Sequence, residues 1–155
     1  MRSRTSIWFE CKVKYEKVQE DGLQKQVVEQ YVVNALSFSE AEARITEEMS
    51  KYINTAFEVV DVKKAPYKEV FFAEDGTSER WYKVKLDFIT LDEKSEKEKR
   101  SRVIYLVNAS NLNSAMKNTD DVLSGTMIDY DAASITDTKL LDVFEFEKDP
   151  QPEYD

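Results

Sequence analysis

Apolar and polar residues alternate over residues 7–15, which places Ile7, Phe9, Cys11, Val13 and Tyr15 on one side of an extended chain. A period of two marks a half-buried strand. The alternation returns at Tyr82, Val84, Leu86 and Phe88. A polar stretch follows each run, EKVQEDGLQKQ in the first case and DEKSEKEKR in the second. Asp21-Gly22 supplies a turn signal in the first; the second is nearly all charge and predicts a longer, solvated hairpin tip. Return strands are expected over residues 27–35 and 102–109.

The period then changes to that of a helix. Ser37 followed by Glu40 fits a capping box, in which the hydroxyl accepts from a free backbone N–H and the carboxylate reaches back. Phe38, Ala41, Ile45, Met49, Tyr52 and Ile53 fall on one side at 3.6-residue spacing. In the later stretch Asn111 or Asn113 can cap, and Leu112, Ala115, Met116, Val122 and Leu123 make a weaker stripe. Gly125 is expected to stop that helix in the left-handed conformation. Third strands are expected over residues 57–63, resuming over 67–72 beyond a break at Pro66, and over 133–146 with a break near Asp137.

These elements come in two sets of the same order. Tyr31, Val33, Asn34, Ala35 and Ala41 recur 74 residues later as Tyr105, Val107, Asn108, Ala109 and Ala115. WFECKVKY, starting at Trp8, matches WYKVKLDF, starting at Trp81, at an offset of 73, and Glu69-Val70-Phe71 matches Asp142-Val143-Phe144 at the same offset. Three blocks in one order at nearly one offset predict an internal duplication of a β-β-α-β unit, repeat one over residues 5–73 and repeat two over 78–147. The expected fold is α+β, a single duplicated domain over residues 1–147. Its sheets are mainly antiparallel, with two helices packed on one face.

Composition adds limits. A chain of 155 residues can bury roughly 68–70% of its unfolded surface, enough for a core without staples. Cys11 is the single cysteine, so no internal disulfide forms, and on an apolar strand face opposite Val84 in the repeat it reads as core filler. The N-terminus shows no apolar signal region and no run long enough for a membrane helix, which makes a cytoplasmic location the expectation. Of the net charge of −9, −7 falls in residues 129–155, leaving −2 for the rest. Residues 148–155 read as an acidic, disordered tail, and a nearly neutral body leaves nucleic acid open as a partner.

Much familiar chemistry is missing. There is no histidine, and three isolated glycines form neither a P-loop nor a dinucleotide fingerprint. Asp120, Asp121, Asp129, Asp131 and Asp137 carry the oxygen ligands a hard cation uses, but without EF-hand spacing they read as solvated loop charge. No catalytic residue, metal or cofactor is assigned. One constellation stands out: Trp8, Lys12 and Lys14 share a strand face opposite the apolar one, and Trp81, Lys83 and Lys85 repeat it, with Arg80, Arg2 and Arg4 nearby. Tryptophan stacks bases and lysine neutralises phosphates, so this set is the candidate surface for single-stranded nucleic acid. The competing structural reading packs each indole at the end of its sheet under lysine stems. Asn34 and Asn108, each ending a strand before a helix, are expected to bond local backbone.

The stretch WFECKVKYEK…QYVVNALSFSEAEARITEEM resembles a family of short domain-of-unknown-function proteins from gut Bacteroidetes and the phages that infect them. The resemblance spans most of the chain and implies a compact cytosolic protein, in some cases in a phage or mobile-element setting, with no established site residues. The combined expectation is a non-enzymatic binding or adaptor module, a monomer or homodimer, engaging single-stranded nucleic acid or a DNA-processing protein. Two alternatives stay open: an enzyme using carboxylates and lysine at the junction of the repeats, and a purely structural homo-oligomer.

Overall fold

The structure, a computed structural model, describes residues 1–146, so the expected tail over 148–155 lies outside the described residues. In chain order the elements are β1 (Arg2–Arg4), β2 (Trp8–Val18), β3 (Gln24–Asn34), α1 (Phe38–Met49), β4 (Phe57–Lys64), β5 (Glu69–Phe72), β6 (Arg80–Leu91), β7 (Glu98–Ala109), α2 (Leu112–Leu123), β8 (Asp129–Asp137) and β9 (Leu140–Phe144). The α+β class is as expected. The chain divides into two compact units: a first of residues 7–65 with the chain from Asp142, and a second of residues 1–6 with 66–141.

In the first unit the strands lie in the order β4-β2-β3-β9. The β2–β3 hairpin is antiparallel, with Cys11 opposite Tyr31 and Trp8 opposite Asn34, and turns through Gly22 at a positive φ of 84°. One face carries Phe9, Cys11, Val13, Tyr31 and Val33, and α1 lays Ala41, Ile45 and Met49 on it. Each large apolar side chain enclosed there contributes roughly 1.5–3 kcal/mol. The helix starts as expected, with the Ser37 hydroxyl accepting from Glu40 N–H at 3.1 Å. Glu40 does not close the box; its carboxylate turns to Arg44 at 2.7 Å. The apolar stripe is also shorter than its spacing suggests. The helix ends at Met49, and Phe38 and Tyr52 stay more than half exposed. Ile7 precedes the strand and is exposed as well.

The second unit repeats the arrangement as β8-β6-β7-β5, with β1 added beyond β5. The pair β5–β7 is parallel, and the other pairs of this sheet are antiparallel. Phe71, Tyr82, Val84, Leu86, Tyr105 and Val107 form the core with Ala115 and Leu123 of α2. Asn111 is the cap, and it closes a complete box with Ser114. The apolar stripe is thin because the helix centre holds Thr119, fully buried, its hydroxyl satisfied by Ala115 C=O at 2.8 Å. Gly125 is not in the left-handed region; Ser124 ends the helix in a right-handed conformation, and Thr126 N–H and hydroxyl both bond Leu123 C=O.

The correspondence between the two units extends to irregular features. A bulge interrupts β4 opposite Lys12/Val13, and another interrupts β8 opposite Lys85/Leu86, the positions 73 residues on. Ala65 N–H bonds Trp8 C=O at 2.8 Å, and Thr138 N–H bonds Trp81 C=O at 3.0 Å, again 73 apart. The element that resumes after each third strand does not rejoin that strand's sheet. β5 joins the second unit and β9 the first.

Two buried asparagines fasten these closing strands. Asn34 accepts Phe146 N–H at 2.7 Å and donates to Phe146 C=O at 3.0 Å. Asn108 accepts Ala73 N–H at 3.2 Å and donates to Ser78 C=O at 3.2 Å and Arg80 C=O at 3.0 Å. The local-backbone role expected for this pair is thus a long-range one, to a strand 112 residues away in the first case. Removing such a carboxamide strands buried backbone groups, each worth about 1–3 kcal/mol. Asn108→Ala is therefore expected to lower unfolding free energy by about 3 kcal/mol in urea denaturation, while Asn113→Ala, at an exposed site, stays within about 0.5 kcal/mol of wild type.

Candidate functional site

Register decides which side chains share the helix-distal faces. In the first unit Trp8, Glu10, Lys12 and Lys14 stand beside Asn34, Val32, Gln30 and Val28. In the second, Trp81, Lys83, Lys85 and Asp87 stand beside Asn108, Leu106, Ile104 and Arg102. The expected grouping of each tryptophan with two lysines therefore holds as a strand-face arrangement.

The indoles themselves are not available as a platform. Trp8 is 1% exposed and Trp81 5% exposed. Trp81 meets the edge of Phe72, ring centres 5.5 Å apart. Its carbonyl takes both the N–H and the hydroxyl of Thr138. Val32 and Leu106, on the same faces, are fully enclosed too. A base needs an open ring face, so in this conformation the two tryptophans serve packing.

The lysines behave differently. Lys12, Lys14, Lys83 and Lys85 are half-buried, and among the described residues none has a carboxylate within ion-pair distance. The acids of these faces are engaged elsewhere: Glu10 faces Lys63 at 3.6 Å, and Asp87 holds Arg102 with Arg100 at 4.0 Å. The Arg102 guanidinium holds the Asp87 carboxyl below the usual range. Arg80 is separated from this set. It shares the helix side of β6 with Tyr82 and pairs with Asp137 at 3.7 Å beside the start of α2. Arg2 lies over the Phe72 ring at 4.2 Å.

The acidic residues do not converge. Asp120 accepts the Tyr130 hydroxyl at 2.6 Å, Asp131 meets Arg100 at 3.0 Å, and Asp137 meets Arg80. Among the described residues no group of three or more Asp, Glu or Cys side chains is placed to hold a metal ion. Cys11 is fully buried, and burial with Asp61 and Glu10 nearby pushes its thiol up to about 12. A thiolate is the reactive form, so this cysteine is inert in the folded chain.

Two features escaped the sequence pattern. At the junction of α1 with the two strands before it, Ile7, Leu36 and Phe38 are 40%, 72% and 55% exposed. Ala35 N–H bonds Ile7 C=O, and the Phe38 ring meets the edge of Phe9 at 5.1 Å, so the three occupy one corner. The matching positions of the second unit are Arg80, Ser110 and Leu112. Two apolar residues replaced by Arg and Ser was a readable signal in the repeat alignment.

The second feature is aromatic and acidic. Phe144 of β9 is stacked on Tyr31 at 5.4 Å and on Tyr52 at 6.4 Å. The Tyr31 hydroxyl donates to Glu29 at 3.2 Å, and burial with Glu29 pushes its pKa well above the ordinary tyrosine value. Asp142 sits beside this group.

The strand-strand-helix-strand core and both closing strands fall within residues 7–146, the segment matched by one family profile. The chain belongs to the family described as domain of unknown function DUF4494. No curated protein and no solved structure matches it. The DUF4494 match starts just before Trp8 and ends on Phe146, the residue whose backbone Asn34 holds; β1 lies outside it. No helix among the described residues of this DUF4494 chain is long and apolar enough to cross a membrane.

Asp142 generates a pH prediction. Crowding by protein atoms raises its carboxyl above the usual range, Glu48 adds to the rise, and Val143 N–H opposes it. A raised carboxyl contributes stability that is fully present below the unfolded-chain value and is lost as pH rises through the folded one. Asp142→Asn is accordingly expected to be more stable than wild type at about pH 7, with the two denaturation curves converging near about pH 3. A variant less stable at the higher pH would contradict this account.

Proposed function

We propose that this DUF4494 protein is a non-enzymatic binding module whose partner is another protein. The observation that carries this reading is the corner of Ile7, Leu36 and Phe38, three exposed apolar side chains together on a chain of net charge −9. Clustered exposed apolar surface rimmed by polar residues marks interaction sites more than scattered single residues do. The second unit offers Arg80, Ser110 and Leu112 at the same positions, so one scaffold presents an apolar corner and a polar one. The resemblance to short proteins of phage and mobile-element settings supports a cytoplasmic location and a DNA-processing protein as partner.

Leu36→Asp tests the assignment, since Leu36 is 72% exposed and its change leaves folding within about 0.5 kcal/mol. Affinity capture from the native host is run in parallel with wild type and variant. The expected result is a protein whose recovery falls about tenfold or more with Leu36→Asp, the loss of an interface anchor worth at least about 1.4 kcal/mol. If every captured protein is recovered equally by both, the corner is not the binding surface.

A second reading rests on the unpaired Lys12, Lys14, Lys83 and Lys85. Four cations without carboxylate partners suit a phosphate backbone, read through charge and without stacking. Fluorescence anisotropy of labelled oligo(dT) is expected to show binding that weakens steeply with salt and disappears when all four are changed to Gln. No binding at low salt removes the nucleic-acid reading.

A further inference from the structure

The two closing strands carry the same signature. β5 presents Glu69-Val70-Phe71 and β9 presents Asp142-Val143-Phe144. Each valine is buried, and each phenylalanine stacks on a tyrosine of its sheet neighbour: Phe71 on Tyr105 at 4.8 Å, Phe144 on Tyr31 at 5.4 Å. Two residues beyond the phenylalanine, the backbone is held by a buried asparagine, Ala73 by Asn108 and Phe146 by Asn34. Each slot therefore reads three things: an acidic-Val-Phe strand, one ring and one backbone amide. None of these depends on the covalent link that delivers the strand.

The first unit has such a slot filled by the far end of the chain. Its strands β2, β3 and β4 and helix α1 end at Ala65, and β9 arrives only after the whole of residues 66–141. β9 is an edge strand, hydrogen-bonded to β3 alone. Its entry is short: Thr138 is anchored to Trp81, and the strand begins at Leu140. An edge strand behind a two-residue hinge is easily released, and Asp142 adds a carboxyl in an unfavourable setting.

We propose that β9 is an exchangeable strand and that its partner is a second copy of this chain. In the exchanged dimer each copy seats residues 140–146 against β3 of the other, with Asn34 and Tyr31 making the same contacts across chains. The contacts are conserved in kind, so the balance is set by concentration. A short tether gives an effective concentration of the order of mM. Monomer therefore dominates in dilute solution, and the dimer approaches equal population near about 1 mM. This inference is independent of the corner formed by Leu36 and Phe38.

Complementation between full-length variants tests it. Asn34→Ala damages the slot and keeps the strand; Phe144→Ser damages the strand and keeps the slot. Mixed at high concentration after partial unfolding, the two are expected to give a 1:1 heterodimer by native mass spectrometry, twice the 18.1 kDa of one chain. The mixture should regain a melting transition close to that of wild type. A chain carrying both changes, mixed with Phe144→Ser, should give neither.

Two behaviours of the mixture overturn the proposal: that of two independent monomers up to about 1 mM, and a dimer that also forms with the doubly changed chain, which would place the contact on another surface. Should either variant fail to fold, wild type alone decides. Taken through partial unfolding at about 1 mM and then diluted, it should retain a slowly dissociating dimer in light scattering, and a purely monomeric outcome rejects exchange. Rescue of Phe144→Ser by a free peptide of residues 139–146 without any chain dimer would show that the slot accepts foreign strands, and would overturn the second copy as its partner.

Discussion

A buried carboxamide that binds a backbone it does not neighbour in sequence is the interaction on which both units depend. Asn34 and Asn108 each sit at the last turn of a strand where the chain must bend into a helix. Each is enclosed, so its hydrogen bonds are made in a setting where leaving them unmade is expensive. An asparagine is suited to this place because it carries a donor and an acceptor at once. Asn34 uses both on the single residue Phe146. A leucine of similar size would leave that residue's N–H and C=O without a partner.

The same corner is stiffened from the helix. Arg44 donates to the Asn34 carbonyl, and Asn118, 74 residues on, donates to the Asn108 carbonyl at 3.1 Å. The chemistry differs, cation in one unit and amide in the other, while the bond is kept. Strand, helix and closing strand thus meet at one residue, and the order of the sheet follows from it. Where Arg44 also serves Glu40 and lies over Phe146 at 5.0 Å, the first unit gathers charge, ring and backbone around its asparagine.

The strands, the helix starts and the correspondence of their residues were legible because each leaves a local trace. Period-two alternation places Cys11 and Val84 inward, and Ser37 and Asn111 announce their caps. The exchange of β5 and β9 was not legible, since strand pairing is non-local and Pro66 announces a break without saying where the chain goes next. The tryptophans misled for a related reason. Alternation puts Trp8 and Trp81 on the face away from their helices, and that side is commonly solvent in a one-layer reading. Here the same faces also enclose Val32 and Leu106, so the period alone does not separate a wet face from a dry one. Helix length was overestimated because Tyr52 continues the periodicity beyond the last intrahelical turn, where it packs on Phe144 from outside.

Equivalent scaffolds make differences informative. Where the two units agree, as at the bulges, the tryptophan carbonyls and the stacked tyrosines, the residues answer to the backbone. Where they disagree, that constraint is absent, and another one chose the side chain. Ile7 against Arg80 and Leu36 against Ser110 are such disagreements, at solvent-facing positions with no packing reason for an apolar residue. Ile45 against Thr119 is the opposite case, a fully buried disagreement that the Ala115 carbonyl makes tolerable. The first kind of difference costs solubility and returns nothing to the fold, which is why the apolar corner, and not the enclosed indoles, is the stronger pointer to a partner.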